Sequence, residues 1–167
     1  MRRRAALAAG SSFALILIAG CAAPAHLGGQ IDSENISAWS GRLALRIDSE
    51  PVQTFAALFE LRGNPASGEL TLSSPIGSTL AQLRWSPGEA LLKNGSQTRR
   101  YDSLAALAEA ATGAAIPVGA LFGWLAGRDE PVPGWRADLA NVAAGRLQAR
   151  RESPRPTADL RIVFEKL

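Results

Sequence analysis

One thiol in this chain stands where a thiol can be acylated. Residues 15–21 read Leu-Ile-Leu-Ile-Ala-Gly-Cys, and Cys21 is the only cysteine. Ahead of it come Arg2, Arg3 and Arg4, then an apolar run from Ala5 to Ala19 interrupted by Gly10, Ser11 and Ser12. A positive start, a short apolar middle and small residues before a cut mark a signal peptide, here residues 1–20. A spanning helix needs roughly 20 apolar residues, so the interrupted run reads as a signal core rather than an anchor. With Cys21 directly after Ala19 and Gly20, the pattern is a bacterial lipobox. Cys21 then receives lipid and becomes the first residue of the mature chain. Ile18 stands where Leu is commonest in lipoboxes and keeps the aliphatic character. Ala22, in place of the Asp that retains lipoproteins in the inner membrane, resembles an outer-membrane address.

No other constellation is poised for chemistry. His26, the only histidine, lies in Ala22–Ile36, a small, polar, glycine-containing stretch that reads as a flexible tether over residues 21–36. There is no glycine-rich phosphate loop after a strand, no metal-ligand spacing and no nucleophile with a plausible base. The carboxylates are scattered singly. The chain is therefore read as a non-enzyme, with no cofactor and no metal. With Cys21 acylated, no thiol remains for a disulfide. The formal charge of +3 is carried by the signal peptide. Removing Arg2, Arg3 and Arg4 from 18 basic residues leaves 15, against 15 acidic ones. A nucleic-acid protein needs a lasting basic face, so nucleic acid is excluded as a partner.

The elements that follow alternate with period two. Leu43, Leu45 and Ile47 share one face, with Arg42, Ala44 and Arg46 opposite, which predicts a half-buried strand. Further strands are predicted over Val52–Arg62, Glu69–Ser73, Thr79–Ser86, Ala90–Lys93 and Gln97–Tyr101. They are separated by turns at Asp48–Pro51, Gly63–Pro65, Ser74–Ser78, Pro87–Gly88 and Asn94–Gly95. Short strands joined by tight turns make an antiparallel meander. Asp102 or Ser103 can cap a helix over Leu104–Ala111, and Gly113 can end it. Pro117 suits the start of a second helix with Ala120, Leu121, Trp124 and Leu125 as its stripe, closed by Gly127. Three more strands follow, at Trp135–Leu139, Arg146–Arg151 and Asp159–Glu165. A single domain over residues 37–167 results, mainly β with inserted helices at about 103–127. Its dry faces must cover each other. Patterning leaves open whether a packed core or an apolar cavity lies between them.

The segment Leu72-Ser-Ser-Pro-Ile-Gly-Ser-Thr79 with Leu80-Ala-Gln-Leu83, and later Ile116-Pro-Val-Gly-Ala-Leu-Phe-Gly-Trp-Leu-Ala-Gly127, resembles the LolB family of outer-membrane lipoproteins. The likeness runs from about Trp39 to Leu167, with the lipobox in front. It implies an incomplete, unclosed antiparallel β-barrel with a helical lid over an apolar cavity for acyl chains. Under that resemblance the cavity candidates are Leu43, Leu45, Phe55, Phe59, Leu70, Leu72, Leu83 and Trp85 from strands, and Leu107, Leu121, Trp124 and Leu125 from the lid. For each, an ordinary core place is an equal alternative. After Trp135 the chain is shorter than the family pattern, so a missing hairpin and a narrower or more open barrel are expected there.

The resemblance also implies function. Cys21 anchors the protein to the periplasmic side of the outer membrane. The domain, a monomer, accepts acylated lipoproteins from a LolA-like periplasmic carrier and inserts them into that membrane. Pro75, Ile76 and Gly77 match the family's protruding loop. Ile76 has little to pack on between a stiff Pro and a Gly, which suits presentation to lipid. Burying it there is worth about 1.5–3 kcal/mol, enough to orient the domain but not to anchor it. A lipoprotein module for another apolar ligand, or an interaction subunit of an envelope complex, is the alternative.

Overall fold

Alternating side chains build one sheet, and its dry face decides everything that packs on it. A computed structural model describes residues 36–167. The signal peptide, Cys21, His26 and the tether through Asn35 lie outside the described residues. The strands are β1 (Ser37–Ile47), β2 (Gln53–Gly63), β3 (Gly68–Ser73), β4 (Thr79–Ser86), β5 (Glu89–Asn94) and β6 (Gln97–Tyr101). Two helices follow, α1 (Leu104–Thr112) and α2 (Val118–Leu125), then β7 (Trp135–Asp138), β8 (Arg146–Arg151) and β9 (Ala158–Lys166). These bounds follow the expected strands closely, because most strands have one buried parity and end in a Gly, Pro or Asn turn; β6 is largely exposed and leads into the cap of α1.

The nine strands form one antiparallel sheet in the order β6-β5-β4-β3-β2-β1-β9-β8-β7. Every neighbour pair except β1–β9 is also adjacent in sequence among the strands. The β1–β9 ladder joins the two ends of the domain, pairing Trp39 with Lys166 and Ile47 with Ala158. The outer strands β6 and β7 do not pair with each other, so the barrel is unclosed. β6 presents Arg99 and Arg100 at its exposed edge, which discourages another chain from adding on.

The ladder is stepped. β3 pairs only with the second half of β2, Leu58–Gly63, while β8 starts its pairing with β9 at Val163. Strands β3–β6 thus sit toward one end of β1, and β7 and β8 toward the other, while β9 runs along most of it. This stagger is the shear a sheet needs to curl toward a barrel. Gly41 lies at the centre of the curl, paired with Phe59 on one side and Phe164 on the other. A Cβ there would stand 2.1 Å from the Val163 carbonyl oxygen, so only glycine permits β9 to approach this closely.

The concave face carries one apolar cluster. It includes Trp39, Leu43, Leu45, Ile47, Leu61, Leu72, Leu83, Leu147, Leu160 and Ile162 from strands, together with residues of α1 and α2. All nine strands, both helices and this cluster lie within residues 37–166, so the segment holds a complete core and can fold by itself. Among the described residues no helix is long and apolar enough to cross a membrane.

Candidate functional site

The helices that cover the sheet differ in how they are made. Ser103 caps α1, its hydroxyl accepting from the Ala106 N–H at 3.1 Å, and Gly113 ends it in a left-handed conformation. Leu107 and Ala108 face inward while Ala105, Glu109 and Ala110 face solvent. The Thr112 hydroxyl, buried, lies 2.8 Å from the Ala108 carbonyl oxygen and 2.9 Å from that of Ala114, so burial leaves it satisfied. α2 follows Pro117 and is buried almost all round, with Val118, Leu121, Phe122, Gly123, Trp124 and Leu125 all covered. An all-apolar helix of this kind belongs in an interior.

Two indoles hold the covering loops. Trp124 donates from Nε1 to the Glu130 carbonyl at 2.9 Å, and Trp85 donates to the Asn64 carbonyl at 3.1 Å. Each puts its polar atom on a loop and its rings in the apolar cluster. Phe122 stands between Trp39 and Trp85, edge-on to both, with ring centroids 5.7 Å and 6.1 Å away. Through it α2 touches β1 and β4 at once.

The twelve cavity candidates converge. Leu43, Leu45, Phe59, Leu70, Leu72, Leu83, Trp85, Leu107, Leu121, Trp124 and Leu125 are buried in the same cluster, and Phe55 is half-buried against it. The candidate list lacks Trp39, Leu61, Ile116, Val118 and Phe122, which the structure places beside them. Parity with Leu43 and Leu45 marks Trp39 in the sequence. Nothing comparable marks Phe122, since every position of α2 around it is apolar or glycine.

Pro75, Ile76 and Gly77 lie elsewhere, at the tip of the β3–β4 hairpin. The Gly77 N–H donates to the Ser74 carbonyl at 2.9 Å, and the Ser74 N–H to the Ser78 carbonyl at 2.8 Å. The Ser78 N–H also donates to the Ser74 hydroxyl at 3.1 Å. Pro75 supplies the φ of the turn's first corner, and Gly77, at φ +86°, supplies its left-handed exit. Ile76 is left at the apex, 90% exposed, against the possibility that it tucks under the sheet. Leu80 is the extra residue of a bulge where the register shifts, since Leu72 pairs with Ala81 and Ser73 with Thr79. It adds a second exposed aliphatic side chain to the hairpin.

Most charge lies on the outer side; the exception is Arg151 at the end of β8, buried and donating from Nε and Nη2 to the Pro156 carbonyl at 3.2 Å and 2.8 Å. Asp48, where β1 ends, accepts from the Thr157 hydroxyl at 2.8 Å and from Arg46 Nε at 3.0 Å. The Thr157 hydrogen bond chiefly, then the Arg46 guanidinium, holds its carboxyl below the usual range. Among the described residues no three His, Cys, Asp or Glu side chains are grouped to hold a metal ion. The arrangement offers apolar surface inside, an apolar tip outside and no concentrated polar chemistry.

Comparison with known proteins agrees with this anatomy. The family described as "Outer membrane lipoprotein LolB" matches residues 37–161. The outer-membrane lipoprotein LolB of Ralstonia nicotianae is 34% identical over 140 residues, covering 80% of this chain and 66% of the relative. That of Bordetella petrii is 35% identical over 116 residues, covering 67% and 57%. That of Halorhodospira halophila is 35% identical over 103 residues, covering 60% and 48%. The matches thus span about half to two thirds of the relatives' own length. With the match running from β1 through both helices and into β9, the chain belongs to the LolB family of outer-membrane lipoproteins.

Proposed function

We propose that this protein is anchored through acylated Cys21 to the periplasmic side of the outer membrane. There it takes lipoproteins from a LolA-like periplasmic carrier and passes them into the membrane. The observation that carries this reading is an unclosed sheet whose apolar face is covered by two short helices and the loops around them, beside a hairpin that exposes Ile76. An acyl chain gains about 0.8 kcal/mol per methylene removed from water, so three long chains represent tens of kcal/mol. A receptor working without ATP must offer apolar surface comparable to the carrier's. Here the chains enter between α2 and the sheet, displacing side chains of the cluster that includes Leu72, Leu83, Leu121 and Trp124. The twelve residues named above line the space so opened. The tether and Cys21 keep the domain near the membrane, and Pro75-Ile76-Gly77 touches lipid at the moment of delivery.

The test uses residues 36–167, which lack the anchor. Incubated with a carrier loaded with an acylated lipoprotein, this domain should strip the cargo into a stable complex separable by size. The same lipoprotein without acyl chains should not transfer. Failure to take acylated cargo, by a domain shown to be folded, would refute the reading.

A further inference from the structure

A groove of about 810 Å³ reaches from the Ile76 hairpin across the centre of the sheet. Its outward-facing lining has an order. Ser73, Leu58, Arg42 and Val163 form one row across β3, β2, β1 and β9, at the level where β3 runs into the hairpin. Glu60, Ser40 and Glu165 form the next row, two residues farther from the hairpin. Two strand residues span about 6.6 Å. Nearest the hairpin, therefore, lie a guanidinium and two aliphatic side chains, one of them Val163 at 59% exposure. Beyond them lie two carboxylates. Arg42 forms no ion pair among the described residues. Glu165 accepts only a 3.3 Å hydrogen bond from Ser40, and Glu60 meets Arg62 at 3.4 Å in full solvent. Exposed pairs of that kind are weak enough to exchange partners.

We propose that this groove seats the headgroup of a zwitterionic phospholipid, with the phosphate on Arg42 and the ammonium between Glu60 and Glu165. The order is the argument. Going outward from the acyl region, such a lipid presents glycerol, then phosphate, then ammonium. Going outward from Ile76, the groove presents a cation flanked by aliphatic side chains in one row, then two anions in the next. An anionic headgroup without an ammonium would satisfy Arg42 and leave both carboxylates facing negative charge. An arginine fork also suits phosphate better than a point charge would. The proposal rests on the reading that the hairpin touches membrane, and it gives that contact a lipid preference and a fixed orientation.

The experiment titrates residues 36–167 with water-soluble glycerophosphoethanolamine and follows backbone amide shifts. Saturable shifts at Arg42, Val163 and Glu165 are expected, weakened about tenfold in Arg42→Gln. The paired variant Glu60→Gln with Glu165→Gln should weaken glycerophosphoethanolamine and leave glycerol 3-phosphate unchanged or tighter. Absence of saturable shifts, or equal binding of both probes with no effect of the carboxylate variant, would overturn the proposal. So would groove shifts produced by the carrier protein alone and not by the headgroup. Ile76→Glu separates this from the membrane reading. It should abolish binding to phosphatidylethanolamine vesicles while leaving the soluble headgroup titration intact. Vesicle binding unchanged in Ile76→Glu would refute the hairpin reading even with the headgroup seated.

Discussion

Phe122 meets the indole of Trp39 edge-on, with ring centroids 5.7 Å apart and planes at 67°. The same ring meets Trp85 at 6.1 Å and 70°, so one side chain of α2 latches the helix to two strands that are not neighbours. Such aromatic pairs add about 0.5–1.5 kcal/mol beyond their buried area. Phe122→Ala should therefore destabilise residues 36–167 by about 3–5 kcal/mol in urea unfolding, and Phe122→Leu by much less. If acyl chains enter under α2, a long-chain fatty acid should restore part of the loss by binding the folded state. A loss below about 1 kcal/mol would show that α2 is held by other contacts.

Ile76 tests delivery without touching the fold. At 90% exposure it has almost no packing to lose, so Ile76→Glu should change stability by less than about 0.5 kcal/mol. The variant should take cargo from the carrier at the normal rate and fail to release it into liposomes. Cargo acceptance and liposome delivery are measured in sequence on one preparation. Normal delivery by the variant would remove the hairpin from the mechanism.

Gly77 sets the direction of that side chain. At φ +86° it occupies a conformation costly for any residue with a Cβ, although a Cβ there would meet nothing within 4 Å. Gly77→Ala should cost about 1–2 kcal/mol through backbone strain alone. Gly77→Asn should cost less, since Asn tolerates the left-handed region. Delivery should fall in both, in proportion to the loss of the turn, read from the Ser74–Ser78 amide protection. Equal stability of Gly77→Ala and the parent would mean the turn flips at no cost.

The sheet was legible because most strands carry their own parity, β6 being placed instead by the Asn94-Gly95 turn. Leu43-Ala-Leu45-Arg-Ile47 declares which side is dry without reference to any other segment. The hairpin tip was legible for the same reason, since Pro75 and Gly77 act on their own backbone. Three features depend on distant partners and were not. α2 is apolar all round, so a helical stripe of Ala120, Leu121, Trp124 and Leu125 describes it incompletely. Ala120 is half-exposed, while Phe122 is buried against two tryptophans that lie more than 35 positions away in sequence. The stepped register, set where β3 meets β2 and β8 meets β9, and the closing β1–β9 ladder are announced by no local pattern. The bulge at Leu80 breaks the alternation that Ala81, Leu83 and Trp85 otherwise keep.

Asp48 makes the seam between β1 and β9 sensitive to acid. Its backbone N–H donates to the Thr157 carbonyl at 2.9 Å, while its carboxylate accepts from the Thr157 hydroxyl. With its folded pKa lowered, the contribution of Asp48 to stability is fully present above its ordinary unfolded value. It is lost as pH falls through the lowered one. Thr157→Val should raise the Asp48 titration midpoint, and Arg46→Ala should raise it less, because the hydroxyl is the larger cause. Carboxyl carbon shifts followed from neutral to acid pH read both. A midpoint in the parent at or above the ordinary aspartate value would contradict the assignment.

Gly41 differs from Gly77 in what surrounds it, and the two substitutions should fail differently. A Cβ at Gly41 would stand 2.1 Å from the Val163 carbonyl oxygen and 2.8 Å from the Phe164 Cα. Both are backbone atoms, so no rotamer change can relieve the clash, and β9 must move away. Because β1–β9 is the one ladder between the β2–β6 and β7–β9 parts of the sheet, the damage should be directional. Gly41→Ala should destabilise by about 1–3 kcal/mol or more. Hydrogen exchange should show β9 amides near Val163 and Phe164 losing protection while those of β3–β5, held by their own hairpins, keep it. The groove beside Arg42 includes Val163, so the same variant should lose headgroup binding although Arg42 itself is unchanged. Gly77→Ala should leave β9 protection untouched. Uniform loss of protection across all strands in Gly41→Ala would mean that the two parts of the sheet unfold as one unit rather than parting at this ladder.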